Sequence, residues 1–422
     1  MKFKTNYLLY ILCLVILLFN NYELTFVVWS LTALITLRTT FSKNFIYIIS
    51  CYIAILLISF LSELFFYDNA IFNKVRDVTY LLKPIVGLVL GYNFAKKYAN
   101  NTLIYIVNCG VFLSIIHIVI VLFAVVSHNT LSVSEIRDYA GYFNDFEPYV
   151  FILILFASKF NIVISKQKRF IYLIIVGISI LSYLSRTNFI QLIILILAVK
   201  GFFNLNVRSI KIIGFTIFAT LIGYTLIYNY NPKRKGSFTD EFLYKVKIIP
   251  IEAFKTKINK DDWKDFNDNF RSFENIKTVN QVFYGGTQAV ISGKGLGSTV
   301  DIGRVMFNND KTNVRYYPFL HNAFSTIFLK SGLLGIIIYL LSIYLISKKI
   351  ISNDIQVNNL NKLLLGSGIF LIMSSWVFMG FYLKLDSKSI LIGLLLGYRE
   401  YLNNQFLNSK EVIPPTEIGI QS

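Results

Sequence analysis

The sequence predicts an all-α polytopic integral membrane protein, with about twelve transmembrane helices and one large loop on the outer side. Three observations predict it. Of 422 residues, 55% are hydrophobic and 15% charged, where an average soluble domain carries roughly 25% charged residues. The mean hydropathy is +0.59. Apolar runs approaching the roughly 20 residues a helix needs to cross the hydrocarbon recur along the chain, and a single long polar stretch interrupts them. This composition excludes a disordered chain, a disulfide scaffold and nearly every soluble enzyme class.

The runs lie at roughly 5–20, 22–37, 44–66, 78–95, 102–127, 149–165, 169–185, 187–203, 210–228, 322–347, 363–382 and 388–404. Lys2 and Lys4 precede the first, as in a signal peptide, but no small-x-small cleavage site follows and a second run begins at once. The first helix therefore reads as retained. The chain divides into nine or so N-terminal helices (1–228), a polar segment (229–320), three C-terminal helices (321–404) and a tail (405–422) that reads as disordered. Cys13, Cys51 and Cys109 stand singly in apolar runs and read as packing residues.

Charge sets the orientation. With the N-terminus in the cytoplasm, 18 Lys and Arg fall in the inner segments and 6 in the short outer loops. That asymmetry is the positive-inside signal. It accounts for a net charge of +18 without nucleic acid as a partner. Both termini are then cytoplasmic, and 229–320 lies outside. This segment holds 15 Lys/Arg and 10 Asp/Glu. Within it Trp263, Phe266, Phe270, Phe273 and Ile276 recur at three- and four-residue spacing, the mark of one amphipathic helix. Gly285-Gly286 and Gly293-Lys294-Gly295-Leu296-Gly297-Ser298 mark turns. The glycine run lacks the GxxxxGK[ST] order of a nucleotide loop.

A cationic outer segment on a helical body points to an anionic ligand at the membrane surface, such as a lipid-linked phosphate. Arg186, in Ser185-Arg186-Thr187 between two runs, reads as a phosphate-binding fork, with a snorkelling interfacial Arg as the plain alternative. Lys83 sits one or two turns inside a helix, before Pro84. A cation at that depth is costly unless it faces a polar cavity; the alternative is outward snorkelling. Arg271 lies on the amphipathic stretch, where a solvated polar face is the alternative. Arg304 and Arg315 add cations to the same segment as candidate substrate contacts. His117 reads as a packed or hydrogen-bonded core group and His128 as a helix-exit residue. His321 stands at the mouth of a helix, and an imidazole, titrating near neutrality, serves as base or acid. No His, Cys and carboxylate spacing fits a metal.

The stretch His321-Asn322, nine residues, Gly332, two residues, Gly335 resembles the HN-x9-G-xx-G signature of the O-antigen ligase and Wzy-type O-antigen polymerase superfamily. Arg271, the Gly293–Gly297 turn and His321-Asn322 follow in the order that superfamily shows. Ser185-Arg186 resembles its mid-chain SR pair, with Ile190 where the ligase R-x3-L pattern has Leu. The layout resembles it loosely throughout and more closely over 185–345.

The resemblance implies a GT-C-like fold and a metal-independent, cofactor-free, inverting glycosyl transfer at the outer face of a bacterial inner membrane. The donor would be a glycan on undecaprenyl pyrophosphate, and the acceptor a second glycan or lipid A core. A chain-length regulator would be a further partner. Arg186 and Arg271 would hold the pyrophosphate and His321 would take the acceptor's proton. Lys83, Asn322, Arg304 and Arg315 would contact substrate. The motif spacing favours a ligase, whereas the Phe/Tyr/Lys/Asn/Ile-rich composition resembles variable polysaccharide-cluster proteins and favours a polymerase. Polymerase is the reading taken, with ligase as the alternative. A flippase of lipid-linked sugar would place cations through the membrane rather than at one face.

Overall fold

Apolar runs leave the backbone no water to bond with, so they fold as helices whose hydrogen bonds are internal. The computed structural model is 77% helical. It describes residues 2–37, 40–66, 69–97, 102–129, 132–141, 144–204, 206–252, 254–307, 313–384 and 386–411. Arg38, one of the expected inner cations, and residues 412–422 lie outside the described residues. The elements are α1 (Lys2–Val15, extended by a 3-10 turn Ile16–Phe19), α2 (Tyr22–Thr36), α3 (Lys43–Glu63), α4 (Ile71–Lys97), α5 (Thr102–His128), α6 (Val133–Ala140), α7 (Phe146–Leu155), α8 (Lys166–Ser182), α9 (Arg186–Val199) and α10 (Val207–Tyr230). The polar segment adds α11 (Phe238–Lys247), α12 (Ile249–Glu252), α13 (Trp263–Asp268), α14 (Phe270–Tyr284), α15 (Gly286–Ser292), β1 (Val300–Phe307) and β2 (Asn313–Tyr317). Then come α16 (Ala323–Ser347), α17 (Ile355–Phe378) and α18 (Lys388–Glu411). Among the described residues, six helices (α3, α4, α5, α10, α16 and α17) are long and apolar enough to cross a membrane, and four shorter apolar helices accompany them.

The structure corrects several expectations. The body is all-α as expected, and the polar segment adds one short hairpin, β1 pairing antiparallel with β2 with Val300 opposite Tyr317. The single amphipathic helix breaks at Asn269, whose amide bonds back to Asp265, giving α13 and α14. Phe266 and Phe273 are buried there, while Trp263 is exposed. α4 starts earlier than its apolar run, because Asp77 in its first turns is neutralised by Lys330 of α16. α17 also starts early, capped by the Asp354 carboxylate on Gln356 N and Val357 N. α18 continues as helix to Glu411, through the start of the expected disordered tail. The three cysteines are buried and free.

A large apolar core joins the helices, and a smaller one lies beneath the polar segment. In the second, Phe266, Phe273, Val282 and Leu320 pack with Phe328 and Leu329 of α16. α16 breaks at Gly332, whose φ is 64° and ψ −159°. The break frees carbonyls on its N-terminal side, and the glycine turn uses them. Lys294 N–H donates to Leu329 O (2.7 Å) and Gly295 N–H to Lys330 O (3.2 Å). Two of the motif glycines therefore meet backbone to backbone. A Cβ on Gly332 would lie 2.4 Å from Ile291 O, and one on Gly293 2.4 Å from the Lys330 carbonyl carbon. Gly332→Ala is expected to cost at least the roughly 1–3 kcal/mol of a strained left-handed residue, read as a lower thermal midpoint of the purified protein. An unchanged midpoint would show that the turn does not dock on α16 in this way.

Candidate functional site

Arg186 opens α9, so its side chain leaves the apolar body at the helix start, beside the buried Ser185. Arg271 lies in the first turn of α14. Both guanidiniums reach one carboxylate, that of Glu252 at the end of α12. Arg186 Nη2 is 3.1 Å from Oε2 and Arg271 Nη1 is 3.1 Å from Oε1. Arg186 also donates to the carbonyl of Lys245. Glu252 is held from behind, because its own carbonyl accepts from Ser272 Oγ at 2.8 Å. Two guanidiniums on one carboxylate leave a local excess of one positive charge. Lys245 adds to it: burial, together with the nearby Arg137 and Arg186, lowers its ammonium to about 8. Each arginine side chain keeps 22% exposure, so the pair is open to a ligand.

One turn beyond Arg271, α14 presents Glu274, which is buried. Its Oε2 lies 2.8 Å from His321 Nδ1 and also accepts the His321 backbone N–H at 3.3 Å. Phe270 flanks the ring at a steep angle, with centroids 6.1 Å apart. The His321 side chain is 48% exposed. Asn322 caps α16, its Oδ1 accepting from Phe324 N (2.8 Å) and Ser325 N (3.2 Å). Ser325 Oγ in turn donates to Asn275 on α14 at 2.7 Å. Thus α14 carries the arginine clamp and the imidazole holder on one face, with residues spaced i, i+3 and i+4.

Arg186, Arg271 and His321 all reach α14 or the carboxylate it braces, whereas Asn322 caps the start of α16. The remaining candidates are engaged elsewhere. Lys83 is buried, bonded to the carbonyl of Lys384 and set over the rings of Tyr22 (4.9 Å) and Trp29 (5.2 Å). It acts inside the protein and not at an open mouth. Arg304 lies over Phe266 (4.8 Å) and donates to Lys260 O. Arg315 makes a two-pronged bond to Asp301 across the hairpin, at 2.8 and 2.7 Å, and this holds the Asp301 carboxyl down at about 2. His117 is a core group as expected, 2.8 Å from Ser179 Oγ and stacked on Tyr183.

Sequence reasoning missed Glu252 and Glu274. Glu274 had one signal, its position one turn after Arg271, but nothing in spacing pairs it with a residue 47 positions away. The buried pair Asp77–Lys330 was also missed, although ionisable groups in apolar runs are a signal in themselves. Phe378 lies under the Arg271 guanidinium at 5.6 Å. It also lines a cavity of about 300 Å³ between Leu14, Leu17, Leu113 and Tyr183, with Lys384 on its wall. No protein-family model, no curated protein and no solved structure matches this chain.

Proposed function

We propose that this chain is a membrane glycosyltransferase. It joins oligosaccharide repeat units carried on undecaprenyl pyrophosphate into O-antigen or capsular polysaccharide at the outer face of the inner membrane. The observation that carries the reading is the meeting of Arg186 and Arg271 on one carboxylate, with Glu274, one helical turn after Arg271, holding a half-exposed histidine. Paired guanidiniums suit a pyrophosphate, whose oxygens take bidentate bonds. They also oppose the negative charge that grows on it as the sugar leaves. The half-exposed His321 ring suits the acceptor hydroxyl, whose proton must go to a base. The cavity beside Phe378 suits the first isoprene units behind the pyrophosphate. Glu252 occupies the place of the ligand's oxygens and gives way to them.

This reading uses twelve spans, cytoplasmic termini and an outward polar segment. An introduced cysteine at Lys260 is then expected to react with a membrane-impermeant thiol reagent on intact cells, and one at Lys166 is not. The reverse pattern overturns the topology and the site's placement. Deletion of the gene separates the two acceptors. A polymerase leaves surface lipid carrying single repeat units, whereas a ligase leaves full-length polymer on the lipid carrier. Unchanged surface polysaccharide rules out both.

A further inference from the structure

We infer that Glu274 positions His321 for the transfer, fixing which ring nitrogen meets the acceptor and balancing the charge the ring acquires. This rests on the proposed function and adds to it a residue that the sequence motif does not contain. One oxygen of Glu274 receives both the His321 backbone N–H (3.3 Å) and ring Nδ1 (2.8 Å). A carboxylate only accepts, so Nδ1 carries the proton and Nε2 of the neutral ring keeps its lone pair. The holder is itself buried. Glu274 is 1% exposed, its carbonyl accepts from Thr278 Oγ1 at 2.7 Å, and the neighbouring Asn275 is tied to Ser325 in the first turn of α16. Phe270 closes another side of the ring. The imidazole is therefore fixed between two helices, while 48% of its side chain faces solvent.

The step balances without another reagent. The acceptor hydroxyl oxygen bonds to the anomeric carbon of the donor as its proton passes to His321 Nε2. The bond from that carbon to the pyrophosphate oxygen breaks, and its electron pair leaves with the lipid pyrophosphate. The imidazolium so formed lies against the Glu274 carboxylate, which lowers the energy of that charge, and it later releases its proton to water. Because Arg271 and Glu274 share one helix turn, α14 also sets the separation between leaving group and base.

The test is a double-mutant cycle on the purified full-length protein, read as chain extension of a lipid-linked repeat unit with donor binding measured alongside. Glu274→Gln is expected to lower kcat by about 10- to 100-fold, the scale known for carboxylates that orient metal-bound histidine rings. Donor affinity should be unchanged, and Glu274→Asp should recover part of the loss. In a His321→Ala background, Glu274→Gln should cost nothing further, because the group it acts through is gone. A merely structural role would lower activity or donor binding in both backgrounds and would overturn the proposal. Normal kcat in Glu274→Gln beside an inactive His321→Ala would overturn it too, leaving the base intact. Normal kcat in His321→Ala would instead sink the base reading itself.

Discussion

Replacing His321 by alanine is expected to lower the rate of the proposed glycan transfer by about 10²–10⁴-fold, the range for loss of a general base, while donor binding holds. The argument is positional. His321 is the half-exposed ring at the start of α16, held by Glu274, and the groups that would bind pyrophosphate lie on Arg186 and Arg271. Removing the ring leaves that cationic pair in place. His321→Asn keeps a hydrogen-bonding group but no useful basicity, so it should be nearly as inactive as alanine. Near-normal turnover in the asparagine variant would show that His321 only orients the acceptor. Loss of donor binding in both variants would move it into the pyrophosphate site.

Arg186→Lys and Arg271→Lys are each expected to abolish most activity although both keep the charge. A guanidinium is a planar fork that grips two oxygens, whereas an ammonium is a point charge on a flexible stem. At this site each fork reaches one oxygen of Glu252 from a different helix, α9 and α14. The same two-sided approach would straddle a pyrophosphate. Loss of a donor that stabilises a developing oxyanion typically costs about 10²–10³-fold in kcat, and that is the expected scale for either variant at normal expression. Polysaccharide of normal length from both lysine variants would remove the clamp.

Much of the architecture was legible because its cause is local. Long apolar runs become helices for want of water, and Gly332 and Gly293 are read as glycines wherever two backbones touch. The hairpin had a signal too: Val300 and Ile302 alternate with exposed positions, at the period of a strand. What the sequence could not deliver was pairing at long range. Nothing along the chain says that Glu252 serves two arginines, or that Glu274 faces His321. Those contacts exist because α12, α14 and α16 pack together. Burial likewise decided the fate of the other cations. Lys83 looked like a site residue because ionisable groups at membrane depth are costly, yet the carbonyl of Lys384 and two aromatic rings satisfy it. Arg315 looked like a substrate contact, yet Asp301 on the paired strand, one position off in register, takes both prongs of its fork.

The most direct measurement is chain growth by the purified protein in liposomes, supplied only with the undecaprenyl-pyrophosphate-linked repeat unit and buffered with a chelator of divalent metals. The account predicts glycans of two or more repeat units, joined by a linkage of inverted anomeric configuration, with free lipid pyrophosphate released once per bond formed. Failure of the wild-type protein to extend the donor would contradict the account, as would extension with retained configuration.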